Sequence, residues 1–241
     1  RSSDLRPCHY ADAAAILGTR VFHPWEGGEG KITGQYLLNQ LHRALQFIER
    51  EAFTQAADCL KDALRYPDNL GEGRLPGQTD NDIWYLLGYC AEQAGDAQQA
   101  EEYYQLALQG GSTLDAGRYY NDQPADYLFW QGIALRKSGN PEQAEQHFQN
   151  FITWAGLHRD DVPQADFFAV SLPDLVVLDV SAQQQHQQHC LFIEALGHLG
   201  LGNVSASQQA MQRLLQLNPA HDKAHLKRRD RKSGSAGMPR P

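Results

Sequence analysis

The stretch Asn81–Gly110, NDIWYLLGYCAEQAGDAQQAEEYYQLALQG, decides the fold. Apolar residues recur at three- and four-residue spacing on both sides of a Gly95-Asp96 break, which predicts two helices joined by a tight turn. Small residues fall where two helices must touch. Gly88 and Ala100 let the backbones approach, while Trp84 and Tyr104 fill the wedge beside them. A hairpin of this kind cannot bury its apolar face alone, so further copies are expected in the chain.

They are present. Ala44, Gly88 and Gly132 are each 44 residues apart, and so are Ala56, Ala100 and Ala144. Trp84, Leu87, Gly88, Gly95, Ala100, Tyr104 and Ala107 sit where the tetratricopeptide pattern places Trp, Leu, Gly, Gly, Ala, an aromatic and Ala, so the stretch resembles that repeat. That module is about 34 residues long, so the first two units each carry roughly ten extra residues after the second helix.

The expected layout follows. Residues 1–33 form an N-terminal segment and structured loop. An array over 34–219 has units at about 34–67, 81–112, 125–156 and 188–219, with insertions at 66–80, 110–124 and 155–182. Residues 220–241 form a basic, flexible tail. The predicted fold is all-α: a right-handed solenoid of about four helical hairpins with ordered loop insertions.

Bulk properties exclude several classes. The chain has 241 residues, 41% hydrophobic and 21% charged, ordinary values for a globular protein. No run of eighteen apolar residues predicts a membrane span. The start, RSSDLRPCHY, has no apolar core of a signal peptide and reads as a segment cut from something longer. Four dispersed cysteines (Cys8, Cys59, Cys90, Cys190) with no CxxC pair predict reduced, mostly buried thiols of a cytoplasmic protein. The net charge is -8, yet residues 223–241 hold seven Lys/Arg and one acid, leaving 14 basic against 28 acidic residues before them. So acidic a body argues against nucleic acid, whose affinity comes largely from phosphate neutralisation.

A narrower resemblance lies in the loops. FHPWEGGEGK, YPDNLGEGRLPG, DNDIWYLLG, YYNDQPADYLFWQGIALRK, DFFAVSLPDLVVLD and HCLFIEALGHLGLGN together resemble the C-terminal tetratricopeptide region of large bacterial proteins. In those proteins a β-rich N-terminal domain of unknown function precedes the array. The resemblance implies a cytoplasmic protein whose N-terminal domain is missing here, and supplies no chemistry.

Two sets of residues are candidates for function. First-helix positions 2, 5, 9 and 12 line the concave face of such an array, where partners bind. They include Leu41 and Leu45; Asp82, Tyr85, Tyr89 and Glu92; Asp126, Phe129 and Arg136; and Phe192. The face is apolar and aromatic and predicts a protein partner, the missing N-terminal domain, or a second copy in a homodimer. The other set lies in the loops: His23, Trp25, Glu26, Glu29, Asp68, Glu72, Asp80, Asp82, Tyr119, Tyr120 and Asp122. Carboxylates beside aromatic faces are what a sugar site uses. The set therefore allows an alternative, the accessory helical half of a carbohydrate-active enzyme. Asn/Asp/Gly-rich loops with aromatic anchors also hold themselves together without any ligand.

His186, His189 and Cys190, with Glu194 one turn on, have the spacing of a zinc chelate, but helix packing explains them equally well. No P-loop, GxGxxG, HExxH or GxSxG is present. No catalytic residue, metal or cofactor is predicted, and the expected function is a non-catalytic interaction scaffold.

Overall fold

The computed structural model describes residues 10–23, 28, 30–74, 77–115, 124–162, 182–221 and 223–224. Among these are nine α-helices and no strand. Cys8, the apolar core of the third insertion (165–180) and the tail from 225 onward lie outside the described residues. The chain divides into two compact units, 1–78 and 79–241.

In the first unit, α1 (Tyr10–Thr19) precedes the hairpin of α2 (Lys31–Glu49) and α3 (Phe53–Ala63). Ala44, Ile48, Ala56 and Leu60 are buried at the helix crossing, as their 3.6-residue periodicity requires. The loop after α3 is fixed by polar contacts. Asn69 donates its amide to the carbonyls of Leu17 and Arg20 at 2.8 and 2.7 Å, tying the end of α1 down. Glu72 accepts from the Gly30 amide at 2.9 Å and from Thr33 Oγ1 at 3.2 Å, serving the open N–H groups at the start of α2.

The second unit holds three hairpins: α4 (Asn81–Gln93) with α5 (Ala97–Leu106), α6 (Ala125–Lys137) with α7 (Pro141–His158), and α8 (Ala182–Gly200) with α9 (Val204–Leu217). The first helices α4, α6 and α8 lie in sequence beside one another. The close approach of first helices to second helices depends on glycine. A Cβ built on Gly88 would stand 2.6 Å from the Tyr104 ring, and one on Gly132 would collide with Phe148. Phe148 is enclosed from the far side as well, because a Cβ on Gly200 would strike the same ring. This ring belongs to a buried aromatic series running Tyr104, Tyr85, Trp130, Phe129, Phe148, Phe151, with centroids 5.0–5.9 Å apart. Trp84 takes a different neighbour, stacking on Tyr103 at 5.9 Å.

The hairpin turns repeat as well. Gly95, Gly139 and Gly202 each take a left-handed φ (83°, 79° and 77°) just past the first helix, closing it as the C-terminal cap that glycine best permits. The equivalent residue of the first hairpin is Glu51, which is forced to φ 57° without glycine's freedom. Ser207, standing where the repeat usually has Ala, is buried and donates to the Ala195 carbonyl at 2.9 Å.

Candidate partner-binding face

The first-helix face of the second unit is not a row of equivalent exposed groups. Tyr85 and Phe129 have no accessible surface; Tyr85 is sealed by Tyr104 of its own hairpin and Trp130 of the next, and Phe129 by Trp130 and Phe148 of its own. The Tyr85 hydroxyl is buried with no hydrogen-bond partner among the described residues, and burial, with Glu92 nearby, pushes its ionisation well above the ordinary phenol value. These two side chains therefore act as the floor of the face, beneath groups that reach solvent.

Above that floor is a linked polar set. Glu92 ends α4 with its carboxylate 2.8 and 3.0 Å from Lys137 Nζ on α6, and it accepts the Tyr104 hydroxyl at 2.6 Å from α5. Partial burial pushes the Glu92 carboxyl up, but the Lys137 ammonium and the Tyr104 hydroxyl outweigh it and hold the group below the ordinary glutamate value. One carboxylate thus joins two helices of its own hairpin to the first helix of the next. Tyr89, a turn earlier, is half-buried on the same helix. Arg136 is committed elsewhere: its Nη2 donates to the Gly200 carbonyl at 2.8 Å and its guanidinium lies 5.7 Å over the Phe148 ring. It closes the C-terminal end of α8, where a cation is favoured.

At the opposite end of the face, Asp126 near the start of α6 pairs with Lys223 at 2.7 Å. Phe192 of α8 meets the His221 ring at 5.2 Å, and Ala224 is fully buried. Lys137 and Lys223 were both missed by the sequence reading. Lys137 falls one residue past the expected groove position, and Lys223 lies inside a run of basic residues that reads as a solvated tail. In the first unit, Leu41 and Leu45 of α2 are half-buried.

The loop set is only partly described. Trp25, Glu26, Glu29, Tyr119, Tyr120 and Asp122 lie outside the described residues. His23 is exposed, Glu72 serves the start of α2, and Asp80 is buried in left-handed conformation at φ 47° immediately before α4. Beside it, the Asn81 amide donates to the carbonyls of Ala107 and Gln109 at 2.8 Å each, gathering the end of α5.

The His–Cys set resolves into separate contacts. His186 Nε2 meets the His158 carbonyl at 2.6 Å, His189 Nε2 meets that of Asp115 at 2.9 Å, and Cys190 Sγ is 3.5 Å from His186 Nε2. The two rings thus face different segments, the end of α7 and the loop after α5, and no group of three or more metal-type ligands forms among the described residues. Burial pushes the Cys190 thiol up to about 11 and that of Cys90 to about 12, which leaves both protonated and unreactive near neutral pH.

Hairpins that repeat helix, glycine turn and helix, stacking first helix on first helix, define an all-α helical-repeat protein of the solenoid class. Residues 41–117 match a family model described as tetratricopeptide repeat, and residues 126–153 match a second model with the same description. Both matches support the tetratricopeptide-repeat superfamily. No solved structure matches the chain. Among the described residues no helix is long and apolar enough to cross a membrane.

Proposed function

We propose that this chain is an interaction scaffold with no chemistry of its own, taking a protein partner on the first-helix face of its second unit. The observation that carries this reading is the Glu92–Lys137–Tyr104 set. It fixes a polar, half-exposed surface over a sealed aromatic floor, with Tyr89 alongside. A rigid floor with charged groups held above it lowers the ordering cost of binding, which is what a recognition surface needs. Side chains pointing inward are engaged in packing, and the histidine and cysteine contacts above are those of structural groups. The partner is a separate protein, the array's own N-terminal domain, or a second copy of the chain, with a cytoplasmic setting and no nucleic acid.

The test is quantitative affinity capture with the full chain, comparing wild type with Tyr89→Ala and Lys137→Glu. Under the proposal both variants keep the helical circular dichroism of the wild type and lose at least tenfold in recovery of a defined partner. Undiminished recovery by both would remove the face from consideration.

A further inference from the structure

The acidic end of the first-helix face is already filled, by the chain itself. Asp82 and Asp126 each occupy the second position of a first helix, α4 and α6, so two carboxylates stand on the same edge of the face. Beyond α9 two backbone hydrogen bonds mark a turn. His221 N–H donates to the Asn218 carbonyl at 3.2 Å, and Ala224 N–H donates to that of His221 at 3.1 Å. This turn delivers three contacts onto the face: His221 against Phe192, Lys223 onto Asp126, and Ala224 into full burial. Asp82 adds its field at the same ammonium. An exposed lysine on a flexible end would gain little from one surface carboxylate. Here the lysine is itself half exposed, but the carboxylate is mostly covered, with 15% of its side chain exposed, and the ring contact and buried methyl lie on either side of the lysine.

Resting on the scaffold reading above, we propose that Asp82, Asp126 and Phe192 form a receptor site for a lysine-bearing turn, which His221, Lys223 and Ala224 occupy in cis. The site's ligand class is accordingly a basic protein segment with a lysine flanked by a ring and a small residue. A partner carrying such a segment must displace the chain's own copy, so affinity in trans is lowered by the fraction of time the cis segment is seated.

The experiment uses the full chain and a labelled synthetic peptide, PAHDKAHLKRRD, copying residues 219–230. In fluorescence anisotropy, Lys223→Glu, which expels the cis lysine, should bind the peptide at least tenfold more tightly than wild type. Adding Asp126→Lys to that variant should abolish the gain. A second readout needs no peptide: in Asp126→Asn, amide exchange at Ala224 should accelerate at least tenfold. Equal peptide binding by wild type and Lys223→Glu, or unchanged exchange at Ala224 in Asp126→Asn, would overturn the proposal. If the peptide fails while a partner still depends on Tyr89 and Lys137, the scaffold stands and only the cis ligand is lost. If neither surface responds, both readings fall.

Discussion

Tyr104 donates its hydroxyl to Glu92 at 2.6 Å, so the second helix of the α4–α5 hairpin is bonded to the last turn of its first helix, 12 residues back. The same carboxylate holds Lys137 of the following hairpin. Hydrogen bonds to a charged group contribute more than neutral ones, and the Tyr104 ring is buried. Tyr104→Phe should therefore lose about 1–2 kcal/mol in urea unfolding. Tyr104→Phe in a Glu92→Gln background should cost measurably less, since the two changes share one contact.

Glycine contacts in the second unit separate into two kinds. Gly200 faces the Phe148 ring with no room for a methyl, whereas a Cβ at Gly156 on α7 would meet nothing within 4 Å. Gly200→Ala should destabilise by about 1–3 kcal/mol through overpacking. Gly156→Ala should instead gain up to about 1 kcal/mol from helix propensity alone. Thermal unfolding of the two variants side by side gives the comparison, and a loss at both positions would contradict the packing described.

Glu51 takes φ 57° at the turn position that Gly95 fills at φ 83°. A left-handed conformation costs an ordinary residue about 1 kcal/mol or more relative to glycine. Glu51→Gly should accordingly raise stability by about 0.5–1 kcal/mol, while Gly95→Ala should lower it by a similar amount. Chemical denaturation midpoints check both signs.

His147 packs on Phe151 at 5.1 Å and meets the Leu128 carbonyl at 2.7 Å through Nε2. Burial holds its ring below the ordinary histidine value, only partly offset by that hydrogen bond. The folded state therefore binds its proton less readily than the unfolded chain. Stability should fall as pH drops through about 6.5 toward the folded value, by no more than about 1.4 kcal/mol per pH unit from this group. His147→Gln keeps a donor for Leu128 and should flatten the stability profile from about one pH unit above to about one pH unit below the ordinary histidine value. An unaltered slope would show that other groups set it.

Much of the fold was legible because it rests on local rules. The 44-residue spacing of Gly88 and Gly132 marks helix crossings where a Cβ would clash, and glycine reports such sterics directly. The first hairpin was legible from Ala44 and Ala56 for the same reason. The face was harder to read. Groove positions counted along a helix assume that every first helix presents the same angle, yet Tyr85 and Phe129 are sealed by Trp130 and Phe148 from neighbouring elements. Nor does periodicity encode the long-range pairs. Arg136 reaches Gly200 across 64 residues, and Lys223 reaches Asp126 across 97. Composition assigned residues 220–241 to a flexible tail, whereas the paired carboxylate and adjacent ring hold His221, Lys223 and Ala224 at the face.

The central claim is that partners meet the first-helix face of the second unit rather than the outer, second-helix side. A photoactivatable residue placed in the full chain at Tyr89, on α4, and separately at Gln98, on the exposed side of α5, tests it most directly. Crosslinking in cells, followed by identification of the product, should yield a defined partner at position 89 that is absent at position 98 and lost when Lys137→Glu is added. The same partner appearing equally at both positions, or at position 98 alone, would contradict the account.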